Sequence, residues 1–547
     1  MTSNQTTPNQ QNQKLDETPQ DAPTAATFVD NEVLKSQPVD IIVIGSGFGS
    51  AVTALRLAQK GHRVVMLERG KRWPVTDSQD TFSTMDKPDG RCAWLSDTTP
   101  VGDPVQVDRY IGVLERINGD GVSVLAGAGV GGGSLVYNGV TLLPHREIFQ
   151  KVFGDRVDYF EMANVYYPRA QSVLGASTIP KHLLDNPAYA AAAEWLKLGH
   201  HAGLDAKLVP ETLDWNVVAQ ELQGKRRPSV TAGEFWYGNN SGAKLSLDKN
   251  YLRFAEDSGL LKIVAKHEVT SINAGPDSRY VVLANEIDEH GKVLAERRFV
   301  AKRVFLGAGS IGTSRLLVKA KARGWLPQLN EHVGQHWGTN GDFFSEITGL
   351  QSYVDPIQCG TAPVAIEHLD NPVSPITLVC FADYFSRGNA GQVTSIGMST
   401  GPAKGSFQYD ASTDSVRLHW PAQDPEVDKI IRAATITYER LANAYRGPGK
   451  LKFRPVNRGI AHGRHRGRPG AHGDAQTHPV NAETCSHPVG GVVLDLATDN
   501  IGAVKNYKGL YVVDGALIPG HTACANPSFT IAALAERNIE RILARDF

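Results

Sequence analysis

Residues 39–68 read VDIIVIGSGFGSAVTALRLAQKGHRVVMLE. The run Asp40-Ile41-Ile42-Val43-Ile44 is apolar and β-branched, as a strand buried on both faces would be. It meets Gly45-Ser46-Gly47-Phe48-Gly49-Ser50, and a helical run with Val52, Leu55, Leu57 and Ala58 on its packing face follows, closed by Gly61. A second strand over 63–67 then ends on Glu68. Strand, glycine turn, helix, strand and acid in that order predict a βαβ unit built for a dinucleotide. Gly45 permits the tight turn, and Gly47 removes a Cβ so that the backbone can approach a pyrophosphate on the helix N-terminus. Glu68 is placed to accept hydrogen bonds from a ribose, which fits FAD or NAD and not a 2′-phosphorylated cofactor. Ser50 stands at the third fingerprint position, where a small side chain suffices for helix–strand contact.

Three further segments carry the same kind of signal. Residues 125–139 hold Gly127, Gly129, Gly131, Gly132 and Gly133, flanked by Val130, Ser134, Leu135, Val136, Tyr137, Asn138 and Gly139. Such a run exposes backbone N–H groups and lets the main chain lie against a flat or anionic ligand. Val304-Phe305-Leu306 runs into Gly307-Ala308-Gly309-Ser310, a second strand, turn and helix, so the nucleotide domain is expected to resume here after an insertion. Near the C-terminus, Ser486-His487-Pro488-Val489-Gly490-Gly491 precedes a strand over 510–513 that ends at Asp514-Gly515; Asn526-Pro527-Ser528-Phe529 then leads into a final helix over 531–543. The prolines place His487 and Asn526 on rigidly turned backbone.

The remainder is less regular. Strands are expected at 261–265, 267–272 and 280–284, and residues 336–450 read as another unit. Within it, 406–409 and 416–420 alternate around a turn, and Val427, Ile430, Ile431, Ala434, Tyr438, Leu441 and Tyr445 form one stripe of a helix over 426–445. The expectation is a sheet backed by a helix, roofing a ligand cavity. Residues 450–479 mix Lys and Arg with His462, His465, His472 and His478, which lack firm ligand spacing; a solvated loop is expected there and no metal site.

Composition limits the class. A chain of 547 residues with 41% apolar residues and 54 glycines is long enough for two or more domains of an α/β enzyme. A net charge of −1 offers no basis for nucleic acid or an anionic membrane as principal partner. The five cysteines are scattered without a C-x-x-C pair, which favours free thiols in a reducing compartment. Residues 1–38, rich in Gln, Asn, Thr and Pro, read as a disordered tail and not as a signal peptide, so the expected location is the cytoplasm.

Taken together, the Gly45 fingerprint, the 127–134 loop, Gly307-Ala308-Gly309-Ser310, His487-Pro488-Val489-Gly490-Gly491, Asp514-Gly515 and Asn526-Pro527 follow the order seen in the glucose–methanol–choline (GMC) flavin oxidoreductases. Tyr237-Gly238-Asn239-Asn240, Ser246-Leu247-Asp248-Lys249 and Gly405-Ser406-Phe407-Gln408-Tyr409-Asp410 add to the resemblance, which spans 39–547 and is closest to bacterial cholesterol oxidases that hold FAD non-covalently. It implies an α/β (α+β) fold with a Rossmann-like FAD-binding domain (39–72, 245–335 and 484–547) interleaved with a substrate domain (73–244 and 336–483) containing a large antiparallel sheet. It also implies roles for residues. Gly45, Gly47, Phe48, Gly49 and Glu68 would hold the ADP half, and Gly131, Gly132, Ser134, Asn138 and Gly139 would lie along the flavin. Asp514 and Gly515 would sit near the ribityl chain or pyrophosphate; Asn526, Pro527 and Phe529 would address the pyrimidine edge. His487 and Asn526 match the catalytic pair.

The implied activity is oxidation of a bulky apolar secondary alcohol, a 3β-hydroxysterol such as cholesterol, with O2 reduced to hydrogen peroxide. Transient contact with a membrane surface would deliver such an alcohol. Two other readings stay open: a dehydrogenase of another hydrophobic alcohol with a non-oxygen acceptor, and a lyase that holds FAD without net redox change. One departure concerns the carboxylate that moves the double bond of the first product into conjugation. Its place falls near Val379 or Cys380, neither acidic, with Glu367 and Asp383 the nearest candidates. A second is Tyr137, where the family pattern has a smaller polar residue, so either a narrower pocket or altered oxygen access is expected.

Overall fold

The structure, a computed structural model, describes residues 39–455 and 483–547. The tail expected over 1–38 and most of the basic, histidine-rich stretch lie outside the described residues.

The strand Ile41–Ile44 is buried throughout and sits third in a five-stranded sheet, in the order Leu510–Val512, Arg303–Leu306, Ile41–Ile44, Val64–Leu67, Leu261–Val264. All four pairings are parallel, and segments far apart in the chain supply the strands. Ile44 pairs with Leu306 on one side and Leu67 on the other, while Leu306 pairs with Val512. The strands therefore stop at one level, and Gly45, Gly307, Val513 and Glu68 emerge side by side at their carboxyl ends. That edge is where open α/β sheets bind ligands.

The helix Phe48–Gln59 crosses this edge with its small residues inward. A Cβ on Gly49 would lie 1.6 Å from the carbonyl oxygen of Val513, so the helix approaches the last strand as closely as glycine allows. Ser50 is fully buried and its Oγ donates to the Gly307 carbonyl at 3.3 Å. The serine is tolerated because its neighbour has no side chain: a Cβ on Gly307 would meet Ser50 Oγ at 1.9 Å. The final helix, Pro527–Asp546, starts earlier than expected and packs along Phe48–Gln59.

A second, antiparallel sheet has six strands in the order Lys452–Pro455, Phe343–Thr348, Gln392–Ser399, Ile376–Phe381, Val364–His368, Asp205–Leu208. Its outer face (Ile376, Leu378, Cys380) packs on the helix Pro425–Ala444 through Ile430, Ala433, Ala434 and Leu441. Its inner face (Phe344, Ala365, Val379, Phe381, Ile396, Met398) packs with Trp73, Phe235 and Trp236. The expected helix is found one residue off at each end, but the expected hairpin is not part of the roof. Ser406–Asp410 and Ser415–His419 form a separate two-stranded sheet, and Phe407, Val416 and Leu418 join the core of the parallel sheet. Among the described residues no helix is long and apolar enough to cross a membrane.

Two neighbouring glycines separate packing from ligand space. Gly49→Ala is expected to destabilise the ligand-free protein by on the order of 3 kcal/mol through overpacking against Val513. Gly47→Ala is expected to leave its melting temperature unchanged, because a Cβ there meets no protein atom within 4 Å. Scanning calorimetry of both variants checks this, and equal melting temperatures would contradict the packing described.

Candidate active site

A cavity of about 450 Å³ opens at the carboxyl ends of the parallel strands and runs to the inner face of the antiparallel sheet. At the first end Ser46 ties two loops together. Its Oγ donates to Glu68 Oε2 at 2.7 Å and accepts from the Gly131 N–H at 3.0 Å. Glu68 Oε1 accepts from the Gly70 N–H at 2.8 Å, so the carboxylate is fixed on the cavity wall. Each of its oxygens keeps a free lone pair for a hydroxyl donor.

The floor between the ends is nearly bare backbone. Cβ atoms on Gly47, Gly133 and Gly309, all on the wall, would meet no protein atom within 4 Å, so the glycines leave a trough instead of filling a core. Gly132 brings the second loop against the first: a Cβ there would be 3.0 Å from Gly47 Cα. Asp514 is buried beside the trough, taking Thr313 Oγ1 at 2.5 Å and the Ala516 N–H at 2.9 Å. Burial pushes its carboxyl up to about 6, against the lowering effect of those donors. Arg69, paired with Glu115 at 2.5 Å, and Arg315 also reach the wall; Nε of Arg315 is buried without a hydrogen-bond partner among the described residues.

At the far end His487 and Asn526 converge. Asn526 immediately precedes the helix Pro527–Asp546 without a side-chain bond to it, and its Nδ2 lies 3.4 Å from His487 Nε2. On the other side of the ring, His487 Nδ1 lies 2.8 Å from Oδ1 of Asp342, whose side chain is fully buried. Around the pair the wall is apolar and aromatic: Val140, Phe235, Trp236, Phe344, Phe381 and Ile396. Oδ1 of Asn138 and Oδ1 of Asn526, both on the wall, are buried without a partner among the described residues. Native proteins rarely leave such atoms unpaired. The bare trough, the fixed carboxylate and the two waiting acceptors fit an elongated ligand with an anionic middle, a polar ribose at one end and ring N–H donors at the other, as a flavin dinucleotide has.

Of the residues named from the sequence, Gly45, Gly47, Phe48, Gly49, Glu68, Gly132, Asn138, His487, Asp514, Gly515, Asn526 and Pro527 line this one cavity. Gly131, Ser134, Gly139 and Phe529 stand behind the wall. Gly131 bonds Ser46, Ser134 Oγ accepts from the Leu247 N–H at 3.0 Å, Gly139 O accepts from the Thr212 N–H at 2.9 Å, and Phe529 packs on the Tyr167 ring. Tyr137 does line the cavity, edge-on to Phe48 with ring centroids 5.3 Å apart. Neither weak acid candidate reaches the wall. Glu367 is bound by Lys207 at 2.7 Å, and Asp383 by Ser386 at 2.6 Å and Thr394 at 3.1 Å. Val379 is on the inner face of the sheet, paired with Ile396, whereas Cys380 faces outward. The acids on the wall are Glu68, Glu115, Glu268 and Asp514.

Two acids escaped the reading of the sequence. Asp342 is one. The other is Glu211, fully buried, its Oε1 accepting from the Thr361 hydroxyl and, at 2.8 Å, from the Ala362 N–H, its Oε2 without a partner among the described residues. It follows the 137–140 segment closely, pairing by backbone with Val140, while its neighbour Thr212 bonds the Tyr137 hydroxyl. Neither acid sits in a motif; only the structure brings them to their partners.

Residues 403–535, which include His487 and Asn526, match the family model described as GMC oxidoreductase. That match is to the family its motifs led one to expect. Over most of its length the chain is similar to a cholesterol oxidase of Mycobacterium tuberculosis (28% identical over 546 residues, 91% of this chain and 90% of the relative). It is also similar to a cholesterol oxidase of Acinetobacter baumannii (25% identical over 573 residues, 92% and 94%). Among solved structures it resembles pyridoxine 4-oxidase from Mesorbium loti (TM-score 0.61, 14% identity, covering 93% of this chain and 100% of that one). A fungal aryl-alcohol oxidase is equally similar (TM-score 0.62, 13% identity, 93% and 99%). The last two likenesses concern the fold, which is the α/β arrangement expected.

Burial pushes the Glu211 carboxyl up to about 8, against the lowering effect of the donors from Thr361 and Ala362. The folded state then holds a proton that the unfolded state has already released, so this group makes stability fall as pH rises from about 4.5 to about 8 and adds no slope outside that window. The slope it contributes is about 1.4 kcal/mol per pH unit. Glu211→Gln, which imitates the protonated acid, is expected to remove that slope while preserving stability at pH 5; thermal melts across the window check it, and an unchanged slope would contradict the assignment.

Proposed function

We propose that the protein is an FAD-dependent oxidase of a bulky apolar secondary alcohol, a 3β-hydroxysterol such as cholesterol. The alcohol becomes a ketone and O2 becomes hydrogen peroxide. The observation that carries this is the meeting of His487 Nε2 and Asn526 Nδ2, 3.4 Å apart, where the glycine trough ends and the aromatic wall begins. Two cholesterol oxidases among its relatives support the substrate class.

On this reading FAD is held without a covalent bond. Gly45, Gly47, Phe48, Gly49 and Glu68 take the ADP half. Gly132 and Asn138 lie along the ring system, with Gly131, Ser134 and Gly139 shaping that loop from behind. Asp514 and Gly515 stand by the linking chain, and Asn526, Pro527 and Phe529 form the far edge. FAD supplies the acceptor for the hydride from the carbinol carbon. His487 Nε2 takes the hydroxyl proton, and the Asn526 amide N–H polarises the oxygen as its carbonyl forms. Phe235, Trp236, Phe344, Phe381 and Ile396 exclude water and select an apolar skeleton.

The FAD-binding domain would comprise 39–72, 245–335 and 484–547, and the substrate domain 73–244 and 336–483. A cytoplasmic protein that touches a membrane surface transiently to collect its alcohol suits this reading. With Val379 on the inner face and, among the described residues, no acid among the apolar wall residues Val140, Phe235, Trp236, Phe344, Phe381 and Ile396, the ketone is expected to leave unconjugated.

The test is to mix the FAD-loaded protein with cholesterol in the absence of air, follow bleaching of the flavin, then admit O2 and assay peroxide and product conjugation. Bleaching, peroxide and an unconjugated ketone are expected, and His487→Gln should slow bleaching by about 10²- to 10⁴-fold without loss of bound FAD. Bleaching without peroxide would point to another acceptor; no bleaching would overturn the sterol assignment.

A further inference from the structure

The turn that leads into the antiparallel sheet reaches both members of the catalytic pair. Residues 339–342 close with the Asp342 N–H donating to Thr339 O at 3.2 Å, immediately before the strand Phe343–Thr348, whose Phe344 lines the cavity. Asp342 accepts on both oxygens, Oδ1 from His487 Nδ1 at 2.8 Å and Oδ2 from the Ser486 N–H at 3.1 Å. Asn340, fully buried at φ +61°, reaches the other partner. Its Oδ1 accepts from Thr522 N at 2.7 Å and Thr522 Oγ1 at 2.9 Å, and its Nδ2 donates to the carbonyl of Ala525, the residue before Asn526, at 3.0 Å. Gly341 locks the turn to the sheet: a Cβ there would lie 2.5 Å from Ser399 O.

We propose that this turn is a positioning bracket for proton transfer, in which Asp342 holds His487 and Asn340 holds the loop that presents Asn526. The inference rests on the reading of His487 as proton acceptor. An imidazole free at Nδ1 can rotate and can carry its hydrogen on either nitrogen. A carboxylate at Nδ1 keeps the hydrogen there and leaves the Nε2 lone pair toward the cavity and Asn526. When Nε2 takes the hydroxyl proton, the positive ring stands beside a buried negative group in a poorly screened place. Among the described residues Asp342 and His487 form ion pairs only with each other. Asp342 and Asn340 are positioning residues, since neither lines the cavity.

Asp342→Asn is the sharpest variant, because its shape is kept while its chemistry cannot be. A carboxylate accepts from two N–H groups; an amide has one oxygen, so either the Ser486 N–H or the His487 Nδ1–H must face an NH2 group. In the FAD-loaded enzyme the rate of flavin bleaching at saturating alcohol is expected to fall about 10-fold or more, with bound FAD and half-saturating alcohol unchanged and only a small fall in melting temperature from the unpaired N–H. Asn340→Gly, which suits the positive φ, is expected to slow bleaching too. Proton NMR gives a readout free of catalysis: a far-downfield Nδ1–H resonance should be present in the wild type and in Asn340→Gly, and lost in Asp342→Asn and His487→Gln. Wild-type bleaching by Asp342→Asn, loss of rate in step with loss of FAD, or no downfield resonance in the wild type would each overturn the bracket. A wild type that shows the resonance but is bleached by no alcohol would instead contradict the proposed function and remove the reaction the bracket serves.

Discussion

Five parallel strands end at one level, and the rest of the site depends on that register. Because Ile44 stands opposite both Leu306 and Leu67, and Leu306 opposite Val512, four chain segments turn away from the sheet side by side. A shift of one residue would turn the buried side chains of each strand to the opposite face and separate Gly45, Gly307, Glu68 and Asp514. The glycines in the turns then let chains come closer than any side chain permits, as at Gly49 against Val513 and Gly307 against Ser50. Ser46 completes the arrangement by joining the fingerprint to Glu68 and to Gly131 of the second loop with one hydroxyl. The trough is thus a by-product of packing: where the glycines do not meet protein, they leave room for a ligand.

The far end is built differently. His487 and Asn526 come from segments after the antiparallel sheet, yet His487 and Ala525, the residue before Asn526, are both held by residues just before its strand Phe343–Thr348. The wall that would recognise an alcohol and the side chains that would react with it therefore share one turn. The apolar row Phe344, Ile396 and Val379 runs across neighbouring strands of the same sheet. Such a wall favours hydrophobic skeletons by area and offers no proton acceptor of its own. Beneath the second loop, burial pushes Lys244, bonded to Leu135 O at 3.1 Å, down to about 7 and Glu211 up to about 8, so charge is unfavourable for both groups where they stand.

What the sequence made legible follows from how strongly each local pattern is tied to one structure. The strand, glycine and helix signals near 45, 307 and 514 have few physical alternatives, and with the loop at 127–139 and the turns at His487 and Asn526 they led to the twelve candidate residues that line the cavity. The roof was illegible for a physical reason. Ile376–Phe381 and Gln392–Ser399 are buried on both faces, between the helix Pro425–Ala444 and the aromatic cluster, so they lack the alternation that marks a half-exposed strand. The hairpin at 406–419 alternates clearly and was legible as a hairpin, but pattern alone says nothing of which sheet it serves. Asp342 had a faint signal, the turn-forming Thr339-Asn340-Gly341-Asp342 before an apolar run, which predicts a turn but not its contact with a histidine far along the chain.

The central claim is that the glycine trough and the Glu68 end hold a flavin dinucleotide without a covalent bond. The visible spectrum of the purified protein, taken before and after acid precipitation, tests it most directly. The account predicts a yellow protein whose colour passes entirely into the supernatant as FAD. A protein that is colourless and takes up no FAD, or whose flavin stays with the precipitate, would contradict it.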